Sequence, residues 1–272
     1  MFKEFELDGH VALVTGGGRG IGREIALVLA EAGADVAVTA RTTSQIKATA
    51  SEIEKLGRRS LAIQCDVTNY TQVTNTVQQV TKLMGKIDIL INNAGASIGG
   101  GAISPLPVEE NETGLYTARK TISPEDWNNS LETNLSHIFY FCQAVGPQML
   151  IRKRGKVINI LSNNGGIAYP FTAGYNSAKA GGAMLTKVIS LEWAPYNINV
   201  NGIAPGFFPT EMTRRRYESP EGREAMLNAI PLKRFAPLRD IGLLSIYLAS
   251  EASDWMTGQV IYLDGGESAF RA

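Results

Sequence analysis

Short β-branched, apolar runs alternate along this chain with segments whose apolar residues recur at helical spacing. Strands are expected at Val11–Thr15, 35–39, Ser60–Gln64, 86–92, 156–161, 198–204 and 259–263. Several are apolar almost throughout, as strands covered on both faces must be. Between them, Ile21/Ile25/Leu29, Ile46/Ala50/Ile53 and Val73/Val77/Val80/Met84 recur at intervals of three and four, so each segment has one face to bury. Strand–helix–strand crossovers are right-handed, and a chain of them winds into an open sheet. The expected fold class is α/β: a doubly wound parallel sheet of about seven strands with helices on both faces. No repeat, linker or second hydrophobic pattern interrupts residues 1–272, which read as one domain.

Two segments break the alternation. Residues 99–120 follow the fourth strand, with Gly99, Gly100, Gly101, Pro105, Pro107 and three glutamates but no sustained period. Residues 206–230 follow the sixth and hold Pro209, Pro220 and the run Arg214, Arg215, Arg216. Both leave the carboxyl end of a strand, where open α/β sheets bind ligands, so they read as an insertion and a lid beside a site. The lid is expected to have few deep apolar anchors.

Composition narrows the function. The 26 Lys+Arg and 26 Asp+Glu cancel, which argues against a nucleic-acid or membrane-surface protein. Two cysteines and two histidines leave little material for a disulfide scaffold or a metal site, and none is expected. The first residues contain no signal-like apolar stretch, and no apolar run approaches the ~18 residues of a membrane helix. A cytoplasmic setting is expected.

The first strand runs straight into Thr15-Gly16-Gly17-Gly18-Arg19-Gly20-Ile21-Gly22 and then a helix. Glycines there allow a tight turn and close approach to a pyrophosphate, and the helix N-terminus supplies free N–H groups. Further on, Tyr175 and Lys179 are four apart on a helical segment and so share one face. A free phenol, with a pKa of about 10, is a poor acid–base group at neutrality, and a neighbouring ammonium lowers it. Ser162, ending the fifth strand, emerges on the same sheet edge as the glycine loop.

With these residues the chain resembles the short-chain dehydrogenase/reductase family, a Rossmann-fold family, over essentially its whole length. The glycine segment matches T-G-x-x-x-G-x-G, and Asn92-Asn93-Ala94-Gly95 matches N-N-A-G. Asn134, Ser162, Tyr175 and Lys179 follow the order and spacing of the family's catalytic tetrad. Pro205-Gly206 with Thr210 matches P-G-x-x-x-T. The resemblance implies hydride transfer between a nicotinamide and a carbonyl/alcohol pair. Tyr175 would then exchange the proton, Ser162 polarise the carbonyl, Lys179 bind the nicotinamide ribose and depress the tyrosine pKa, and Asn134 hold a relay water. On the cofactor, Gly16, Gly18, Arg19, Gly20, Ile21 and Gly22 would hold the phosphates. Asp66 and Val67 would meet the adenine, Asn93, Ala94 and Gly95 its ribose side, and Pro205, Gly206, Phe208 and Thr210 the nicotinamide side. A homo-oligomer, a tetramer of D2 symmetry, is likewise implied.

Other residues carry plainer expectations. His137 and Trp127 read as packing residues, Cys65 as a small hydrophobe, and Arg214, Arg215 and Arg216 as a solvated face, the alternative being contact with an acidic group of the substrate. Asn163 and Asn164, where the family often has a small hydroxyl, could face a polar substrate or cap a turn. The second strand ends at Ala40-Arg41, without the Asp or Glu that accepts a ribose 2′-hydroxyl. Arg41, with Arg19 opposite, suits a 2′-phosphate, so NADP is expected over NAD. The leading expectation is an NADP-dependent ketone reductase/alcohol dehydrogenase. A 3-oxoacyl thioester reductase and a non-catalytic NADP-binding regulator are the alternatives, and the residues do not choose the substrate.

Overall fold

A computed structural model describes residues 2–104 and 121–271. Most of the expected insertion, residues 105–120, lies outside the described residues. The strands are β1 (Val11–Thr15), β2 (Asp35–Ala40), β3 (Ser60–Gln64), β4 (Ile89–Asn92), β5 (Gly155–Ile160), β6 (Ile198–Pro205) and β7 (Val260–Leu263). All seven lie where the sequence pattern places strands, with ends displaced by up to three residues. They form one parallel sheet of order β3-β2-β1-β4-β5-β6-β7. The fold is the doubly wound, Rossmann-like α/β arrangement.

The pleat of β1 explains the two layers. Ala12 and Val14 point into a core shared with helices α1 (Gly20–Glu31) and α2 (Thr43–Lys55), through Ile25, Leu29, Ile46 and Ile53. Val11 and Leu13 point the other way, toward α3 (Tyr70–Met84) and α5 (His137–Arg152), where Val73, Val80, Phe141 and Val145 are buried. Alternate residues of one apolar strand thus serve opposite cores, which is why its sequence lacks polar alternation. Helix α6 (Ala173–Trp193) completes the second layer, and α9 (Leu238–Ala249) the first. Edge strands β3 and β7 are only half-buried.

Because chain order reverses between β1 and β4, their carboxyl ends diverge into a crevice. The short α4 (Pro124–Leu131) is started by Ser123, whose side chain accepts from Asp126 N, and one π turn, Glu132–Ser136, joins it to α5. Trp127 on α4 is only half-buried and is no core anchor; the fully buried residue of that helix is Ser130.

The segment 206–230 departs from expectation. It contains α7 (Arg214–Glu218) and α8 (Pro220–Ala229), and Phe208, Met226 and Ile230 are 2%, 1% and 2% exposed. These apolar residues anchor it deeply, whereas its prolines and charges alone suggested few anchors. The prolines start or punctuate the short helices: Pro220 opens α8 directly after the Ser219 cap.

At the opposite edge of the sheet, Asp88 is 5% exposed. Its Oδ2 accepts from Val11 N at 3.0 Å and lies 2.9 Å from Lys86 Nζ, and its Oδ1 is 3.4 Å from Arg152. It ties the start of β1 to β4 from below the crevice. Replacing Asp88 by Ala removes a charge-assisted bond and leaves a buried N–H without it, so a loss of about 2 kcal/mol is expected in denaturant unfolding.

Candidate active site

The glycine loop folds back so tightly that its spacing is sterically enforced. A Cβ on Gly22 would stand 2.2 Å from Asn93 Nδ2 and 2.3 Å from Gly16 O. Gly16 has φ +64°, and a Cβ there would meet the Ala94 backbone at 3.1 Å. Asn93 is the strap. Its Nδ2 donates to Thr15 O at 2.9 Å and to Gly16 O at 3.3 Å. Thr15 Oγ1 in turn accepts from Asn93 N and Ala94 N, both at 2.9 Å.

Above this loop a cavity of about 470 Å³ runs along the carboxyl ends of the strands. Each predicted site residue except Asn134 lines it. At one end stand Arg19, Arg41, Asp66 and Val67; Gly16, Gly18, Gly20, Ile21, Gly22, Asn93, Ala94 and Gly95 form its floor. At the other stand Ser162, Tyr175 and Lys179; Pro205, Gly206 and Phe208 also line the cavity, and Thr210 reaches across to the glycine loop beside Gly20. Residues the sequence did not single out, among them Gln45, Thr68, Thr133 and Thr172, also contribute. They belong to ordinary helix starts and turns and carry no motif.

Asn134 lies beneath the wall and is fully buried. Its Oδ1 accepts from Ala96 N at 3.1 Å, and its Nδ2 donates to Ala96 O at 2.9 Å and Ser130 O at 3.0 Å. Both amide hydrogens are donated to backbone carbonyls, so the side chain clamps the loop after β4. The π turn widens the helix at this point and directs the side chain under Gly95.

Ser162 ends β5 and caps the turn Asn163–Gly165, its Oγ accepting from Asn164 N at 3.2 Å. The two following asparagines are mostly used internally. Asn164 Nδ2 donates to Asn176 Oδ1 at 3.2 Å, and buried Asn163 donates to Glu267 Oε2 at 2.8 Å. Glu267 is itself fully buried and is also hydrogen-bonded by Tyr169. This brace from the last helix comes from 104 residues away and leaves no local mark in the sequence.

A family profile described as short chain dehydrogenase matches residues 10–221. The chain belongs to the short chain dehydrogenase family. It is 35% identical over 262 residues to a gluconate 5-dehydrogenase of Gluconobacter oxydans, covering 96% of each chain. It is 38% identical over 256 residues to a 3-oxoacyl-(acyl-carrier-protein) reductase of Staphylococcus epidermidis, covering 94% of this chain and 97% of that one. A solved gluconate 5-dehydrogenase from Burkholderia cenocepacia, in complex with NADP and tartrate, aligns with a TM-score of 0.85 at 34% identity over 98% of both chains. Among the described residues of this short chain dehydrogenase, no helix is long and apolar enough to cross a membrane.

Burial dominates the electrostatics of the dehydrogenase's site. Lys179 is 3% exposed, donates to Ile160 O at 3.0 Å and lies 5.7 Å from the Tyr175 ring centre. Desolvation pulls its ammonium down to about 8. Burial pushes the Tyr175 phenol above its ordinary range, and the Ser162 hydroxyl partly offsets this. The sequence suggested the opposite direction from the nearby ammonium alone; loss of water around the phenol outweighs it. His137, fully buried, is driven down to about 3 by desolvation and then by the Lys179 charge, so it is a neutral packing group. Cys65 and Cys142 are buried thiols whose pKa values burial raises, to about 12 for Cys142.

The lysine shift makes a stability prediction. An unfolded lysine binds its proton up to about pH 10.4, whereas folded Lys179 releases it near 8. Between those values the unfolded chain holds more protons, so this group costs stability below pH 8 and the cost fades as pH rises. Lys179→Met should be more stable than the wild type at pH 7. That advantage should shrink by about 1 kcal/mol by pH 9 in parallel denaturant titrations.

Proposed function

We propose that this chain is an NADP-dependent oxidoreductase that interconverts a carbonyl and a secondary alcohol, with Tyr175 as its acid–base group. The observation that carries the reading is the convergence of Ser162, Tyr175 and Lys179 at one end of a cavity floored by a glycine cradle. The cradle residues fit a bound dinucleotide: any side chain on Gly16 or Gly22 would fill or break the floor. Bound nicotinamide supplies or accepts the hydride.

The protein's own residues handle the proton. In reduction the Tyr175 hydroxyl donates to the oxygen of the carbonyl; in oxidation it takes the proton back. Ser162 Oγ donates a second hydrogen bond to the same oxygen, so developing negative charge meets two donors. Lys179 contributes an ammonium beside the nicotinamide ribose and the phenol. Its buried seat keeps water from screening that charge. Asn134 is a positioning residue that holds the loop at Ala96.

NADP is favoured over NAD because Ala40 stands where a carboxylate would repel a 2′-phosphate, and exposed Arg19 and Arg41 flank the same end of the cavity. The relative solved with NADP supports this choice. Residues 206–230 serve as the lid over the β6 end. Phe139 on α5 and Met184, Val188 and Leu191 on α6 are exposed apolar residues, which supports assembly as a homo-oligomer, a tetramer in our reading.

The similarity to a 3-oxoacyl reductase favours a second reading, thioester-linked ketone reduction. It would need a basic surface for a carrier protein, and the arginine run is only partly available. Arg214 lies 2.8 Å from Glu218 and 3.8 Å from Glu211. Higher kcat/KM on a carrier-linked substrate than on free ketones would establish this second reading.

Tyr175→Phe keeps the ring and removes the proton, so kcat should fall about 10²–10⁴-fold while NADP still binds. A variant retaining more than about a tenth of kcat would overturn the assignment. Arg41→Ala and Arg19→Ala should each weaken NADP binding about tenfold and leave NAD binding nearly unchanged, as read by fluorescence titration.

A further inference from the structure

At the β6 end of the cavity stands a cation without an acidic partner among the described residues. Arg216, on α7, lines the cavity, and its Cζ lies 5.4 Å from the ring centre of Phe207, which lines it too. A guanidinium stacked on an aromatic face is held flat, with its N–H edge free to donate. Its neighbour Arg214 is occupied by Glu218 and Glu211. Arg215 does not line the cavity. Arg216 has no acidic partner among the described residues.

The other cations of the cavity have separate tasks. Lys179 is buried in the floor and donates to Ile160 O. Arg19 and Arg41 lie at the ends of β1 and β2. The strand order sets β6 four strand spacings from β2, about 19 Å at ~4.8 Å per spacing. Arg216 therefore stands on the side of the reacting groups Ser162 and Tyr175, far from the end where Arg41 would meet a 2′-phosphate.

Resting on the function proposed above, we propose that Arg216 anchors a carboxylate of the substrate, which makes that substrate a hydroxy or oxo acid. The planar fork of Arg216 matches a carboxylate through two parallel charge-assisted hydrogen bonds. Phe207 keeps the fork aimed while the reacting carbon stands at Tyr175. Glu211, also at the cavity, is drawn toward Arg214 and so is kept from repelling the acid.

The test is calorimetric titration of the NADP-loaded protein with tartrate, a four-carbon hydroxy diacid, and with threitol, its uncharged polyol counterpart. The wild type should bind tartrate at least about tenfold tighter than threitol, and Arg216→Gln should remove most of that preference. Arg216→Lys should restore only part, because an ammonium offers no fork. The NADP dissociation constant should change less than about twofold in both variants. Failure of the wild type to bind tartrate, equal tartrate binding by Arg216→Gln, or an equal loss of NADP affinity each overturns the anchor. A Tyr175→Phe variant that stays active would overturn the chemistry while leaving the tartrate result standing, so the two failures are distinguishable.

Discussion

Thr15 and Asn93 hold the ends of β1 and β4 at the one place where the sheet parts. The threonine hydroxyl accepts two backbone N–H groups of the loop after β4, and the asparagine amide caps the carbonyls of Thr15 and Gly16. Four hydrogen bonds between two short loops fix the width of the crevice. They also press the glycine turn so close to Asn93 that no side chain fits at Gly22. Everything downstream, from the cradle to the seat of Lys179 beneath Gly95, takes its position from this strap.

The site is held together at the expense of stability. A lysine 3% exposed and shifted to about 8 is a charge kept where water would favour it more. Tyr175 is likewise pushed away from ionisation by burial. Desolvation alone would make this a resting arrangement unsuited to proton transfer. In the function proposed for this site, charge developing on a substrate oxygen would supply the missing partner, so that the buried pair would discriminate between ground and transition states.

Support for the reacting end arrives from distant parts of the chain. Asn134 clamps Ala96 from a π turn, and Glu267 braces Asn163 from the final helix. Neither touches the cavity as a free group. The two asparagines after Ser162 are drawn into this scaffold, so the polar character they lend the sequence is spent largely on positioning Ser162. Residues 206–230 are similar: Arg214 is paired with Glu218 and Glu211, while Phe208, Met226 and Ile230 pin the segment to the body.

Strand positions, the parallel sheet, the glycine loop and the spacing of Tyr175 and Lys179 were legible in the sequence, because each depends on local period or on neighbours one helical turn apart. Ala40-Arg41 at the end of β2 was legible for the same reason, since a strand end is a local feature. What only tertiary structure decided involves burial or long sequence separation. The direction of the Tyr175 shift follows from how much water the assembled walls exclude, which no spacing reports. The clamp of Asn134 on Ala96, 38 residues earlier, is likewise a contact that no local pattern reports. The arginine run looked uniform; folding pairs Arg214 with two glutamates and stacks Arg216 on Phe207, so identical side chains in sequence become different groups in space.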